Sequence, residues 1–334
     1  MSTHPKQEPL AMPSRSLGPD HLAVSPIGVG CMGMTWAYGK TDRSESIATI
    51  HRALDLGVTL FDTADIYGPL VNEELVGEVL AGRRSEVILA TKCGLQVPDP
   101  SVFHHDASKF SLTRNGSPQH ILKSCDESLR RLRTDYIDLY QLHRVDPKVP
   151  VEESVDALAT LVKAGKVRHI GLSECTVDEL SRAHQVHPIS TVQSELSLWT
   201  RDVLMEILPF CRQHDIGFLA FSPLGRGFLT GRYDQATSFA KDDFRSVLPR
   251  FQPDALKANV RIVDAVKELA ARREATPAQI ALAWVLAQGE QVVAIPGASK
   301  RKHLEENLGG AFVQLTEEEL TRLDQVPAAV GGRY

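Results

Sequence analysis

Four side chains that can exchange protons follow closely on apolar, strand-like stretches of the sequence. Asp62 and Lys92 stand at the ends of two such stretches, His143 follows a third, and Tyr67 stands five residues after Asp62. Parallel strands are sealed in the core, and they present their carboxyl ends at one rim, where chemistry is usually located. We therefore expect these four side chains to meet and to influence one another's proton affinities.

The residue types suit protonation of an oxygen atom that gains negative charge. A free tyrosine has a pKa of about 10 and holds a transferable proton at neutral pH. A neighbouring lysine ammonium favours the phenolate and is expected to lower the tyrosine pKa. A carboxylate would keep the lysine charged, and a neutral histidine can bind the substrate oxygen or relay the proton. The pattern predicts carbonyl reduction, for which a bound cofactor has to supply the hydride.

Each of these residues also has a purely structural interpretation. An aspartate after a strand often caps a helix or a turn, and Tyr67 precedes Gly68 and Pro69 and can pack a loop. His143 with its neighbouring arginine can form a surface pair with Asp146. The occurrence of all four residues on three strand ends favours the catalytic interpretation.

Composition restricts the class of protein. The chain has 334 residues, a formal net charge of -5 and 43% hydrophobic residues, as expected for a globular protein with a sizeable core. No basic patch interleaved with aromatic residues indicates a nucleic-acid partner. Residues 1–20 lack the apolar region of a signal peptide, and no apolar run is long enough to cross a membrane. The five cysteines are scattered, and neither CxxC nor HExxH occurs. A reduced cytoplasmic protein without a metal site is expected.

The hydrophobic pattern predicts the frame that positions these residues. Eight apolar runs alternate with segments of helical periodicity. The predicted strands are 24–29, 58–62, 87–91, 136–142, 167–172, 191–193, 216–221 and 292–295. The predicted helices are 44–56, 72–80, 118–132, 151–164, 177–186, 201–214, 253–273, 277–287 and 316–325. We predict a single α/β domain over residues 21–334, a parallel (β/α)8 TIM barrel after a flexible segment 1–20; a doubly wound sheet is the alternative.

The first loop contains a literal GxGxxG pattern from Gly28 to Gly33. A dinucleotide-binding fold would need a helix to begin there and an acidic residue at a second strand end about twenty residues later. Instead, residues 34–39 contain two aromatic residues and a further glycine, and helical periodicity begins only near Thr41. The pattern is interpreted as a turn at which a ligand can approach the backbone closely.

Several motifs, in this order along residues 16–325, resemble those of the aldo-keto reductase superfamily. They are FDTADIYG at 61–68, ATK at 90–92, IDLYQLH at 137–143, GKVRHIGLS at 165–173, VQ at 192–193, SPLGRG at 222–227, IPGAS at 295–299 and LEEN at 304–307. The chain resembles most the bacterial and plant branch with short substrate loops. The resemblance implies a barrel with a catalytic tetrad of Asp62, Tyr67, Lys92 and His143, and NADPH bound without a Rossmann domain. The reaction would be the reversible reduction of aldehydes or ketones.

The resemblance also implies the residues that contact the cofactor. Ser173 and Gln193 would hold the nicotinamide carboxamide, and Phe221 would stack on the ring. Glu174 stands where many relatives have Asn, so that side chain can accept from the amide and cannot donate to it. Lys300 near the 2′-phosphate would favour NADPH over NADH. The expected cofactor contacts are Gly30, Cys31, Met32, Asp62, Ser173, Glu174, Gln193, Phe221, Ser222, Pro223, Leu224, Gly225, Gly227, Gly297, Ser299, Lys300, His303, Glu306 and Asn307.

Three long loops, 94–117, 225–252 and 326–334, are expected to surround the substrate pocket. Trp36, Tyr67 and His143 would line it, and Trp199 and Phe103 are either further walls or ordinary packing residues. His104 and His105 are interpreted as an exposed loop pair and not as metal ligands. The expected partner is a small carbonyl or alcohol substrate, and the oligomeric state, monomer or homo-oligomer, stays open.

A second functional class is a nucleotide-sensing regulatory subunit resembling the β subunits of potassium channels, which share this fold. Those subunits carry Asn at the fourth tetrad position, where this chain has His143. Residues 1–20 are also short and unpatterned for a channel-plugging segment. The enzyme interpretation is therefore preferred, while the substrate and the physiological direction stay open.

Overall fold

The computed structural model describes residues 11–99, 107–109 and 111–334. Phe103, His104 and His105 lie outside the described residues, and so do the first ten residues of the predicted segment 1–20. In the described part, the strands are β1 (Arg15–Leu17), β2 (Leu22–Val24), β3 (Val29–Gly30), β4 (Leu60–Asp62), β5 (Ile88–Cys93), β6 (Leu95–Gln96), β7 (Thr113–Arg114), β8 (Ile137–Leu142), β9 (Val167–Ser173), β10 (Thr191–Glu195), β11 (Gly217–Phe221) and β12 (Val292–Ile295).

Eight of the described strands, β3, β4, β5 and β8 to β12, form one parallel sheet in chain order. Hydrogen bonds join the first of them to the last, from the Gly28 amide to the Ala294 carbonyl at 2.8 Å and from the Gly30 amide to the Pro296 carbonyl at 3.1 Å. The sheet therefore curls into a barrel. The predicted (β/α)8 fold is confirmed.

Helices lie between the barrel strands and cover their outer face. They are α1 (Arg43–Asp55), α2 (Val71–Leu80), α3 (Pro118–Leu132), α4 (Val151–Lys163), α5 (Val177–Val186), α6 (Ile207–Gln213), α7 (Pro253–Arg272), α8 (Pro277–Leu286), α9 (Arg301–Leu308) and α10 (Glu317–Asp324). Local caps fix several starts: the Ser117 hydroxyl accepts from the His120 amide, and Thr176, Thr276 and Thr316 form capping boxes. The prediction of one helix over 201–214 was wrong, because Glu206 leaves helical geometry between a short turn and α6.

A small hairpin, β1 with β2, closes the amino-terminal end of the barrel. Leu17 and Val24 from this hairpin are buried and pack with Leu60 and Leu219 from the barrel interior. The fit is close, since a side chain at Gly217 would place its Cβ 2.8 Å from Leu17. The predicted segment 1–20 thus includes a strand. In the described part of the chain, the hairpin covers the interior at the end opposite to Asp62, Lys92 and His143.

Three loops surround that carboxyl-terminal rim. The loop after β5 contains the hairpin β6 with β7, and the loop after β11 reaches across the rim to the first loop. There the Phe244 amide donates to the Ala37 carbonyl at 2.9 Å, and Tyr38 pairs with Asp243. Residues 326–334 form the third segment. None of the described helices has the length and apolar character that a membrane crossing requires.

Candidate active site

Lys92 and Asp62 form a buried ion pair at the floor of the rim. β4 ends at Asp62 and β5 places Lys92 beside it, and their side chains are 2% and 1% exposed. The Lys92 ammonium donates to Asp62 Oδ1 at 2.7 Å and to the Thr63 carbonyl at 2.9 Å, and Gln193 Nε2 donates to the same Oδ1 at 2.8 Å. Burial by itself lowers the pKa of Lys92, but the charge of Asp62 and the hydrogen bonds outweigh it, so the net direction is upward. Lys92 is therefore charged at neutral pH.

Tyr67 lies directly above this pair. Its hydroxyl accepts a hydrogen bond from the Lys92 ammonium at 3.3 Å. The loop that carries it turns at Gly68, whose φ is +71° and where a Cβ would lie 2.8 Å from the Thr35 hydroxyl. Burial raises the pKa of Tyr67 by more than the Lys92 charge lowers it, so the net direction is upward. The expected lowering by Lys92 is present, but burial, whose depth cannot be read from the sequence, has the larger effect. Tyr67 keeps its proton at neutral pH.

His143 completes the group. Its amide donates to the Cys93 carbonyl at 2.8 Å, and its ring meets the Tyr67 ring edge-on with centroids 5.9 Å apart. Burial, followed by the charges of Lys92 and Arg144, holds the pKa of His143 well below its usual range. Nδ1 is buried and has no hydrogen-bond partner among the described residues. The imidazole is therefore neutral at neutral pH.

The pKa of His143 predicts a pH-dependent contribution to stability. The unfolded chain takes up a proton on this residue below about pH 6.5, whereas the folded protein does not. The stability that this neutral histidine contributes is therefore complete above that pH and is lost as the pH falls. We expect the Tm of the protein to fall more steeply between about pH 7.5 and 5.5 than that of the His143→Gln variant. Parallel Tm profiles from calorimetry would contradict a depressed histidine pKa.

A cleft of about 880 Å³ opens at the rim above these residues. Tyr67, His143 and Trp36 lie in its wall, and the rings of Trp36 and Tyr67 have centroids 6.4 Å apart. The structure thus brings the predicted pocket residues together. The predicted cofactor residues that line the same cleft are Gly30, Cys31, Met32, Asp62, Ser173, Gln193, Phe221, Ser222, Pro223, Leu224, Gly227, Gly297, Ser299, Lys300, His303, Glu306 and Asn307.

Two predicted cofactor residues, Glu174 and Gly225, do not belong to the cleft lining. The Glu174 carboxylate accepts from the Glu195 amide at 2.9 Å and pairs with Arg333 at 2.6 Å. Arg333, which is distant in the sequence, thus directs the Glu174 side chain away from the cleft. Gly225 packs on Trp199, where a Cβ would lie 2.7 Å from the indole nitrogen. Trp199 itself is buried and stacks on Phe228 with centroids 4.7 Å apart, so packing and not a pocket wall explains it.

The cleft has further walls that the sequence reasoning missed. Tyr38, Arg226, Phe244, Arg245 and Tyr334 line it, and the Arg226 guanidinium lies 5.7 Å from the centre of the Phe244 ring and 5.3 Å from that of Tyr334. These residues come from three loops, so no local spacing joined them. The run 243–245, an aromatic residue between two charged ones, was the sequence signal for this part of the cleft wall. Elsewhere in the cleft lining, Lys300 and Arg232 suit a ligand that carries several phosphate charges.

Backbone conformation also marks the rim. Glu174 follows β9 and Ser222 follows β11, and both have left-handed φ angles, 52° and 49°. Such strain in residues other than glycine is uncommon and clusters at ligand sites. Within the described residues, no group of three or more His, Cys, Asp or Glu side chains is arranged to hold a metal ion.

Comparisons with known proteins agree with this geometry. The model of the aldo/keto reductase family, described as "Aldo/keto reductase family", matches residues 26–328. A soybean (Glycine max) protein named "Probable aldo-keto reductase 1" is 44% identical over 326 residues, covering 95% of this chain and 90% of that protein.

Solved structures show the same similarity. A glycerol dehydrogenase from Gluconobacter oxydans superposes with a TM-score of 0.83 at 34% identity, covering 93% of this chain and 94% of the other. An aldo/keto reductase from Klebsiella pneumoniae in complex with NADP and acetate gives a TM-score of 0.73 at 27% identity, covering 96% and 99%.

Proposed function

Because the chain belongs to the aldo/keto reductase family, we propose that it is an NADPH-dependent oxidoreductase that reversibly reduces aldehydes or ketones to alcohols. One observation carries the proposal. The Tyr67 hydroxyl lies 3.3 Å from an ammonium that Asp62 keeps charged, at the floor of a cleft that His143 also lines. This arrangement holds a proton ready for an oxygen atom of a substrate and stabilises the charge left behind.

The proposed proton transfer follows from the charges of these side chains. Tyr67 donates its phenolic proton to the carbonyl oxygen, and the phenolate that forms is stabilised by the neighbouring Lys92 ammonium. Asp62 holds Lys92 in place through its carboxylate. Neutral His143 can donate to the same substrate oxygen and so fix its position over Tyr67. A bound nicotinamide cofactor supplies the hydride that the protein lacks.

The residues of the cleft fit such a cofactor. The Ser173 hydroxyl accepts from Arg144 at 3.2 Å, which leaves its own proton free to bind a carboxamide oxygen. Phe221 offers a ring face for stacking, and the loop from Ser222 to Gly227 is proposed to surround the pyrophosphate. The NADP complex of the Klebsiella pneumoniae protein supports NADP(H) for this chain. The buried, unpaired cysteines support a reducing, cytoplasmic location.

The direct test is turnover by the purified protein with a panel of aldehydes and ketones, run in parallel with NADPH and NADH. We expect oxidation of NADPH with at least one carbonyl, and a weaker response with NADH. Binding of NADPH without turnover on any panel member would contradict the proposal and would instead favour a nucleotide-sensing subunit. That second function is not favoured, because His143 is present and the similar proteins above are named as reductases or a dehydrogenase.

Lys300 is proposed to decide the preference for NADPH. It lies in the cleft at the start of α9, beside His303 and Asn307. The Lys300→Ala variant should raise the Kd for NADPH about tenfold, because a hydrogen bond to a charged phosphate is lost, and should leave the Kd for NADH nearly unchanged. Fluorescence titration measures both constants. Lys302→Ala removes an exposed ammonium two residues away and serves as the matched control. Equal effects of both variants, or of one variant on both cofactors, would contradict this role.

A further inference from the structure

Arg333 joins the ends of two neighbouring barrel strands. Its Nη2 lies 2.6 Å from the Glu174 carboxylate, directly after β9, and its Nε lies 3.1 Å from the carboxylate of Glu195, the last residue of β10. The two acidic side chains are largely buried, at 16% and 2% exposure. A single guanidinium thus bridges two carboxylates at the rim of the cleft, where its fork of donors suits both.

The rest of the segment 326–334 is anchored by α7 and by the loop after β11. The Asn259 side chain on α7 binds both the amide and the carbonyl of Val330, at 2.8 and 3.1 Å. The guanidinium of Arg250 donates to the Gly331 carbonyl at 3.1 Å. Gly331 has a φ of +94°, and a Cβ there would lie 3.1 Å from the backbone of Pro249. The segment therefore turns at Gly331, and Arg333 is its contact with the strand ends.

Tyr334 lies near the predicted pocket wall Trp36, because its neighbour Arg226 also contacts Phe244, whose ring centroid is 6.3 Å from that of Trp36. Its ring lines the cleft, 5.3 Å from the Arg226 guanidinium and 5.5 Å from that of Arg333. The residue is 58% exposed, so burial alone holds it weakly. Arg226 is itself fixed near Glu195, at 3.7 Å. The Tyr334 ring thus lies against two cations that share one carboxylate.

We propose that Arg333 is a positioning residue that fixes Tyr334 as a wall of the cleft and thereby sets substrate specificity, without taking part in proton transfer. Arg333 fixes Tyr334 by bridging Glu174 and Glu195. The expected change in KM rests on the proposed reductase activity. The bridge between Glu174 and Glu195 does not. Arg333 and Tyr334 lie beyond residue 328, where the match to the family model ends, so the family similarity does not assign them a role.

The contacts of Glu195 indicate that the barrel does not require Arg333 in order to fold. Without Arg333, the Glu195 carboxylate keeps the Thr200 hydroxyl at 2.8 Å and the cations of Arg226 and Arg250 at 3.7 and 4.0 Å. Glu174, which is less deeply buried, would lose its cation. Substitution of Arg333 should therefore remove the contact of the segment with the strand ends and leave the barrel folded, while Asn259 and Arg250 still hold Val330 and Gly331.

The kinetic test compares Arg333→Ala, Tyr334→Ala and the double variant, with propanal and an aromatic aldehyde as substrates. We expect each single variant to raise the KM for the aromatic aldehyde about tenfold, with little change for propanal, and the double variant to be no worse than either. For Arg333→Ala, kcat and the Kd for NADPH should stay within about twofold. Arg322→Ala, which removes an arginine of α10 that pairs with Glu268 of α7, is the matched control. Additive effects in the double variant, or an equal loss of cofactor binding, would overturn the proposal.

Hydrogen exchange gives a readout that needs no substrate. In the unmodified protein, the Val330 amide that donates to Asn259 should exchange slowly. In Arg333→Ala, where the segment has lost one of its anchors, this amide should exchange about tenfold faster, while Arg322→Ala leaves it unchanged. Unchanged exchange in Arg333→Ala would overturn the proposed tether. Faster exchange in a protein without turnover on any carbonyl would refute the reductase function and the specificity role, while leaving the tether itself established.

Discussion

The Tyr67→Phe variant is expected to lose about a thousandfold in kcat while binding NADPH as tightly as the unmodified protein. Proton transfer by a positioned side chain contributes about 10²–10⁴-fold to the rate of an enzyme. Phe keeps the ring that packs at a centroid distance of 5.9 Å from His143 and removes the hydroxyl that accepts from Lys92. Steady-state kinetics and fluorescence titration measure the two quantities separately.

A control for this variant is available outside the cleft. Tyr136 lies between the guanidinium groups of Arg84 and Arg168, 4.0 and 3.8 Å from its ring centre. Tyr136→Phe therefore removes a phenolic hydroxyl without touching the rim and should leave kcat unchanged. If Tyr67→Phe also retained full turnover, Tyr67 would not be the proton donor, and His143 would become the next candidate.

The Lys92→Met variant is expected to lose turnover and about 3–5 kcal/mol of unfolding free energy. Removing one partner of a buried ion pair leaves the other charge uncompensated, and that costs about this amount. In this protein, Asp62 would keep the amide donor of Gln193 but lose the ammonium. Urea unfolding followed by circular dichroism measures the change in stability.

A double variant separates the two effects of this substitution. Asp62→Asn combined with Lys92→Met removes both charges with little change in volume. Replacing a buried ion pair by neutral groups is often neutral for stability, so we expect most of the lost free energy to return. Turnover should stay absent, because no ammonium remains to stabilise the Tyr67 phenolate. If the single variant were as stable as the unmodified protein, Lys92 would not be charged in the folded state.

The sequence was sufficient to predict the strands and helices that hold the site, because short stretches of the chain determine them. Continuous apolar runs indicated buried parallel strands, and their ends placed Asp62, Lys92 and His143 on one rim before the fold was known. Cap residues were equally informative: Ser117 and Pro118 predicted the start of α3, and its observed bounds, Pro118–Leu132, agree with the prediction. Such signals span only a few residues, so a single sequence displays them fully.

Interactions between distant parts of the chain were not predictable in this way. Arg333 and Glu174 are separated by 159 positions, and nothing near either residue indicates the other. The orientation of the Glu174 side chain, toward Arg333 and outside the cleft lining, was not predictable for this reason. The net direction of the Tyr67 pKa was not predictable, because two opposing effects, burial and a neighbouring ammonium, depend on distances and depth. Ion pairs between distant residues and the depth of burial of a side chain follow only from the three-dimensional structure.

The hairpin at the amino-terminal end of the barrel provides a coupling site for attaching this protein to a solid support. It lies at the end opposite the cleft, and Ala23 on β2 is exposed. All five cysteines of the sequence are buried, so a cysteine introduced by Ala23→Cys would be the one accessible thiol among the described residues. Maleimide coupling through that thiol would orient every molecule with its cleft facing the solution. An electrode or resin prepared in this way would present a uniform layer of accessible sites.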